Sequence, residues 1–96
     1  MIGARAPLPE SIVDARDDYV GPGYGQPSDA TVDAISLMAS EEGIFLDPVY
    51  SGKAMAGLIG MVRQGELTKG QTVVFIHTGG TAALFAYGHL FSRQRR

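Results

Sequence analysis

Ninety-six residues with a formal net charge of -2, 45% hydrophobic and 19% charged content suffice for one small domain and exclude a two-domain enzyme with an enclosed cleft. The only basic cluster, Arg93, Arg95 and Arg96, lacks interleaved aromatics, which argues against nucleic-acid binding. The absence of cysteine removes disulfides, thiolate metal sites and a cysteine nucleophile.

Residues 1–16 carry Pro7 and Pro9 among small residues and read as a mobile lead or linker, with Ile12 and Val13 as a possible start of a short strand. Residues 1–10 lack the hydrophobic core of a signal peptide, and no apolar run approaches the about 20 residues of a membrane span. The expectation is a soluble, cytoplasmic chain with no membrane partner. Residues 21–27, G-P-G-Y-G-Q-P, form a loop with Tyr24 at its tip, where the phenol projects either into a cleft or into solvent. The spacing G-x-G-x-G is not a dinucleotide fingerprint.

Ser28, or Thr31, caps a helix with Val32, Ile35, Met38 and Ala39 on one face, closed by Gly43. The apolar run Ile44, Phe45, Leu46 is halted by Asp47 and Pro48. Ser51 is the expected N-cap of a second helix that buries Met55, Leu58, Ile59 and Val62 and stops at Gly65. That junction puts Tyr50, Ser51 and unpaired first-turn N–H groups together, suited to an anion or a ligand acceptor, or else serving only as a packed connection.

Residues 72–76, Thr-Val-Val-Phe-Ile, form a near-continuous β-branched and apolar run expected to be a strand buried on both faces. His77 and Thr78-Gly79-Gly80-Thr81 follow at its end, and Ala82 to Tyr87 resume a helical pattern. The Thr-Gly-Gly-Thr loop either cradles a phosphate or ring nitrogen or lets helix and strand pack closely. His77 has no partner at metal-ligand spacing, and a P-loop around Gly52-Lys53 fails because the required earlier glycine is Asp47. Lys53 is either an anion partner or amine nucleophile, or a lysine lying along its own helix start. The alternation of elements predicts an α/β fold with a short parallel sheet and flanking helices.

Three blocks in order, D-Y-V-G-P-G-Y-G-Q-P, G-I-F-L-D-P-V-Y-S-G-K-A-M-A-G-L-I and V-F-I-H-T-G-G-T-A-A-L-F-A-Y, resemble the C-terminal part of the pyridoxal-phosphate enzymes grouped as 1-aminocyclopropane-1-carboxylate deaminases and D-cysteine desulfhydrases. The resemblance covers about residues 17–87. It implies a partial three-layer fold, residues 17–91 being the end of the large, cofactor-binding domain of a tryptophan synthase β-like enzyme, with residues 92–96 as a basic tail. The family's cofactor-binding lysine and phosphate loop have no counterpart here, and Lys53 is not that lysine. The resemblance therefore implies a segment that is inactive alone, completed by the missing N-terminal part or a homologous chain, and homodimeric in the complete enzyme.

By the same resemblance Tyr24 and Tyr50 face a small amino-acid substrate as catalytic phenols, Ser51 and Thr78 face the pyridine nitrogen of pyridoxal phosphate, and Gly79 joins them as a cofactor-binding residue. The family's deaminases carry glutamate and leucine at the positions of Ser51 and Thr78, and its desulfhydrases carry hydroxyl residues, so the pair leans toward desulfhydrase activity. A carboxylate keeps the ring nitrogen protonated and makes the ring a stronger electron sink, which ring opening of a cyclopropane needs and loss of hydrosulfide does not. Deaminase activity and a non-catalytic interaction module are the alternatives.

Overall fold

The computed structural model describes residues 9–92; the first half of the expected lead and the arginines of the expected basic tail, Arg93, Arg95 and Arg96, lie outside them. Two α-helices dominate, α1 over Asp29–Glu42 and α2 over Ser51–Arg63, packed against each other. A 3-10 turn at Glu10–Ile12 precedes them, where a strand start was expected, and 3-10 structure at Thr81–Leu90 follows. The last is two short pieces meeting at a kink, because Tyr87 holds non-helical φ/ψ, in keeping with the short natural length of 3-10 runs.

Both α-helices begin and end for local reasons. Ser28 caps α1 by accepting the Thr31 N–H, and Gly43 ends it at φ 65°. The Gly43 and Ile44 N–H groups bond back to Ala39 and Met38 carbonyls, closing the turn that a left-handed residue permits. Ala34 and Ile35 of α1, Leu46 of the connection, and Met55 and Ala56 of α2 form the core, with Met38, Leu58, Ile59, Phe75, Leu84 and Phe91 against its edge. Val62, expected on the buried face of α2, is exposed.

The glycines of α2 buy close approach at a cost of roughly 1 kcal/mol each in helix propensity. A Cβ on Gly52 would stand 2.5 Å from the Asp47 carbonyl oxygen and 2.8 Å from Ile35 Cδ1. On Gly57 and Gly60 it would meet the Tyr19 ring, which lies across that face.

The expected parallel sheet is not formed. The described residues contain no β-strand, only an isolated antiparallel bridge between Gly23 and Gln26. Residues 72–76 are irregular, with Val74 81% and Ile76 77% exposed and only Phe75 half-buried. A strand exists only when a neighbour shares its ladder hydrogen bonds, and among the described residues none lies alongside. The apolar content that reads as a two-face-buried strand is instead left on the surface. The accessible area of 7529 Å² exceeds the roughly 5,300 Å² of a compact protein of this mass. The radius of gyration of 15.5 Å exceeds the about 12.5 Å expected at this length.

Candidate functional site

The start of α2 is organised by Asp47, which is fully buried. Its Oδ2 accepts the N–H groups of Val49 at 2.8 Å and Tyr50 at 2.7 Å, and its Oδ1 accepts the Ser51 N–H at 3.0 Å and the Ser51 hydroxyl at 2.6 Å. Its carbonyl takes the Gly52 N–H at 2.7 Å, and its own N–H donates to Ser51 Oγ at 2.9 Å. Ser51 is therefore the first residue of the helix and not its N-cap; the Asp47 side chain does the capping from outside. Burial pushes the Asp47 carboxyl up, but the bonds from Ser51, Tyr50 and Val49 outweigh it and hold its pKa below the ordinary value. The positive end of the helix dipole is thus already answered by a carboxylate, which leaves no place there for the anion that the bare junction suggested.

The Ser51 hydroxyl is fully described by these contacts. Its hydrogen goes to Asp47 Oδ1 and one lone pair takes the Asp47 N–H; a second lone pair remains. Any further partner of Ser51 must be a donor.

The Thr-Gly-Gly-Thr loop meets this same carboxylate. Gly80, at φ 84°, packs so that a Cβ would lie 2.9 Å from Asp47 Oδ1 and 3.0 Å from Cγ. His77 Nε2 lies 2.9 Å from the Phe45 carbonyl and Nδ1 takes the Gly79 N–H at 3.0 Å, so the network assigns a neutral ring with its hydrogen on Nε2. The Thr81 hydroxyl donates to the same Phe45 carbonyl at 3.2 Å. With the Gly79 N–H engaged and a carboxylate behind Gly80, the loop is a poor cradle for phosphate. Thr78 is exposed between His77 and Gly79, and open space lies beside Gly79.

Tyr24 and Tyr50, 26 residues apart, are brought together: their hydroxyl oxygens are 2.6 Å apart, with ring centroids at 6.0 Å and planes at 70°. One phenol donates to the other, so one O–H of the pair stays free to donate outward. The bond from Tyr24 raises the Tyr50 pKa, so the pairing strengthens the hold of Tyr50 on its proton. Lys53 Nζ donates to the Gly23 carbonyl at 2.8 Å and the Tyr87 hydroxyl to the Gly25 carbonyl at 2.8 Å. The lysine is thus tied to a loop 30 residues away and is not free along its own helix.

Asp47 as a cap and Tyr87 are participants that sequence reading missed, and Lys53, weighed there as an anion partner, an amine nucleophile or a lysine along its own helix start, ties a distant loop instead. The Asp-Pro-x-x-Ser spacing carries the signal for the first, since a carboxylate before a helix start is a capping group. The two others act across 30 and 62 residues, and nothing local marks them. Among the described residues no group of three metal-ligating side chains occurs, and no helix is long and apolar enough to cross a membrane.

A family model described as pyridoxal-phosphate dependent enzyme matches residues 1–79. Proteins named D-cysteine desulfhydrase from Salmonella newport (strain SL254), Salmonella heidelberg (strain SL476) and Salmonella schwarzengrund (strain CVM19633) are each 58% identical to this chain over 71 residues. The match covers 74% of this chain and 22% of each of those proteins, so the chain spans about a fifth of the length of its curated relatives.

Proposed function

The chain belongs to the pyridoxal-phosphate-dependent enzyme family, and from that premise we propose that it forms one wall of the substrate cleft of a D-cysteine desulfhydrase, converting D-cysteine and water to pyruvate, ammonia and hydrogen sulfide. The observation that carries the proposal is the meeting of two phenols from separate loops at 2.6 Å, beside a serine whose hydroxyl orientation is set by a buried carboxylate. The 58% identity to proteins of that name supports the substrate class. The chain acts as part of a longer protein or with a companion chain, in a soluble cytoplasmic setting, and the complete enzyme is a homodimer.

The donor set suits the ring edge of pyridoxal phosphate and not its phosphate. Ser51, itself buried, keeps one lone pair for a hydrogen-bond donor on the ring, Thr78 adds an exposed hydroxyl from the loop whose Gly80 packs on Asp47, and open space lies beside Gly79, whereas Asp47 would repel a phosphate from α2. When bound, the cofactor supplies an electron-withdrawing ring that takes up the electron pair released at the substrate's α carbon. Asp47, by accepting the Ser51 hydroxyl's hydrogen bond, leaves Ser51 able only to accept from any further partner. The free phenolic O–H of the Tyr24–Tyr50 pair holds the substrate carboxylate or delivers a proton to the departing sulfur. Lys53, spent on the Gly23 carbonyl, is no candidate for covalent attachment.

The test is a graft: the 71 matched residues replace the corresponding ones of a Salmonella relative, and the purified protein is assayed with pyridoxal phosphate for sulfide release from D-cysteine and for 2-oxobutanoate from 1-aminocyclopropane-1-carboxylate. Sulfide release supports the reading. Exclusive action on the cyclopropane substrate moves the chain to the deaminases, and a folded graft inert with both makes it a non-catalytic module.

A further inference from the structure

Tyr24 sits in a loop that has little else to hold it. The residue is 77% exposed, the loop glycines Gly21 and Gly25 sit at φ 73° and 70°, and the loop's own ladder is the single Gly23–Gln26 bridge, with the Gln26 N–H on the Gly23 carbonyl at 3.1 Å. A segment this rich in glycine loses the entropy of fixing each residue, and none of residues 21–28 is fully buried to offset it. Yet its tip phenol stands at a 2.6 Å hydrogen bond from Tyr50.

We propose that Lys53 and Tyr87 are positioning residues that clamp the Tyr24 loop by the two peptide carbonyls flanking its tip, Gly23 and Gly25, and thereby hold Tyr24 against Tyr50.

The two ties come from two separate elements downstream of the loop. Lys53 lies in the first turn of α2, three residues after Tyr50, so the element that presents one phenol also anchors the loop presenting the other. Tyr87 lies at the kink of the Thr81–Leu90 segment, whose non-helical φ/ψ interrupts the 3-10 run at the residue that reaches Gly25. Gly25 allows the approach: a Cβ there would stand 3.3 Å from the Tyr87 hydroxyl. A charged donor on one carbonyl and a phenol on the next remove the loop's freedom to rotate about Tyr24. The functional meaning of the clamp rests on the reading that the phenol pair faces substrate. The clamp itself requires neither cofactor nor turnover.

The experiment is a tyrosinate absorbance titration of the 96-residue chain, with the Tyr24–Tyr50 ring contact read at neutral pH by nuclear Overhauser transfer. The charged group bearing on Tyr50 is the buried Asp47 before it; Lys53, in the helix that follows, spends its ammonium on the Gly23 carbonyl. Lys53→Met is expected to abolish the ring contact and move the raised tyrosine step down toward the ordinary phenol range. Lys53→Arg, which keeps a charged donor, restores both. Tyr87→Phe, which removes only the hydroxyl that reaches Gly25, acts in the same direction. In a Tyr24→Phe background Lys53→Met produces no downward movement. The sign separates the clamp from simple electrostatics, since deleting a nearby cation alone makes a phenol harder to ionise and moves the step up. An upward or absent shift with the ring contact intact overturns the proposal; if Lys53→Met loses helix, the Tyr87→Phe result alone decides it. Failure here leaves the grafted enzyme's sulfide release untouched, and failure of that graft leaves the titration untouched.

Discussion

Replacing Asp47 by asparagine keeps the side chain's shape and removes its charge. Four donors point at the carboxylate, two on each oxygen, but an amide offers one acceptor oxygen and an NH2 group. Whichever way the amide is turned, two donors face another donor. A buried donor left unsatisfied costs about 1–3 kcal/mol. Turning the NH2 toward Val49 and Tyr50 sacrifices the half-buried pair that water can reach, so the low end of that range applies to each and the total is about 2 kcal/mol. For a domain of this size that lowers the melting midpoint by roughly 10 °C. The assay is thermal unfolding followed by helical circular dichroism at a series of pH values. The folded-state pKa of Asp47 is lowered, so its contribution is fully present above the ordinary carboxyl value and is lost as pH falls through the lower folded one. The gap between parent and Asp47→Asn should therefore be full at pH 7 and close in acid, where the parent carboxyl also carries a proton. Equal melting at pH 7, or a gap that persists undiminished in acid, refutes the capping role.

Gly80→Ala combines a left-handed φ with a Cβ driven onto the Asp47 carboxylate and should cost about 2 kcal/mol, the strain alone being roughly 1–2; the same melting assay reads it, and an unchanged midpoint would mean the loop does not rest on Asp47. Gly52→Ala should destabilise by about 1–3 kcal/mol through overpacking against the Asp47 carbonyl and Ile35, although alanine is the better helix former, so net stabilisation would contradict the close approach. Borohydride treatment of this chain with pyridoxal phosphate should trap no defined adduct at Lys53 or Lys69 by peptide mass spectrometry; a stoichiometric adduct at either would make it a cofactor lysine. In the grafted enzyme Tyr50→Phe should lower kcat about 100-fold, a typical loss for a positioned proton donor, with bound cofactor unchanged; parental kcat would remove the phenol pair from the chemistry.

The helices were legible because their signals are local: Ser28 and Gly43 bracket α1 within the chain itself, and the spacing of Met55, Leu58 and Ile59 marks the inner face of α2. The sheet was not, because β-branched content at residues 72–76 states only that a strand would suit, while the ladder depends on a neighbour that local sequence does not describe. The candidate site divides the same way. Tyr24, Tyr50, Ser51 and the Thr-Gly-Gly-Thr loop could be singled out from turn chemistry and family resemblance. Asp47 was read only as the end of an apolar run, when its spacing to Ser51 lets one carboxylate collect four donors. The ties from Lys53 and Tyr87 to the Tyr24 loop are products of tertiary packing, with no periodicity or motif to announce them.

The measurement that bears most directly on the account is sulfide released from D-cysteine by the graft, normalised to cofactor bound. Turnover comparable to the parent relative is expected, with activity on 1-aminocyclopropane-1-carboxylate far below it. A graft that folds, binds one cofactor per chain and releases no sulfide contradicts it.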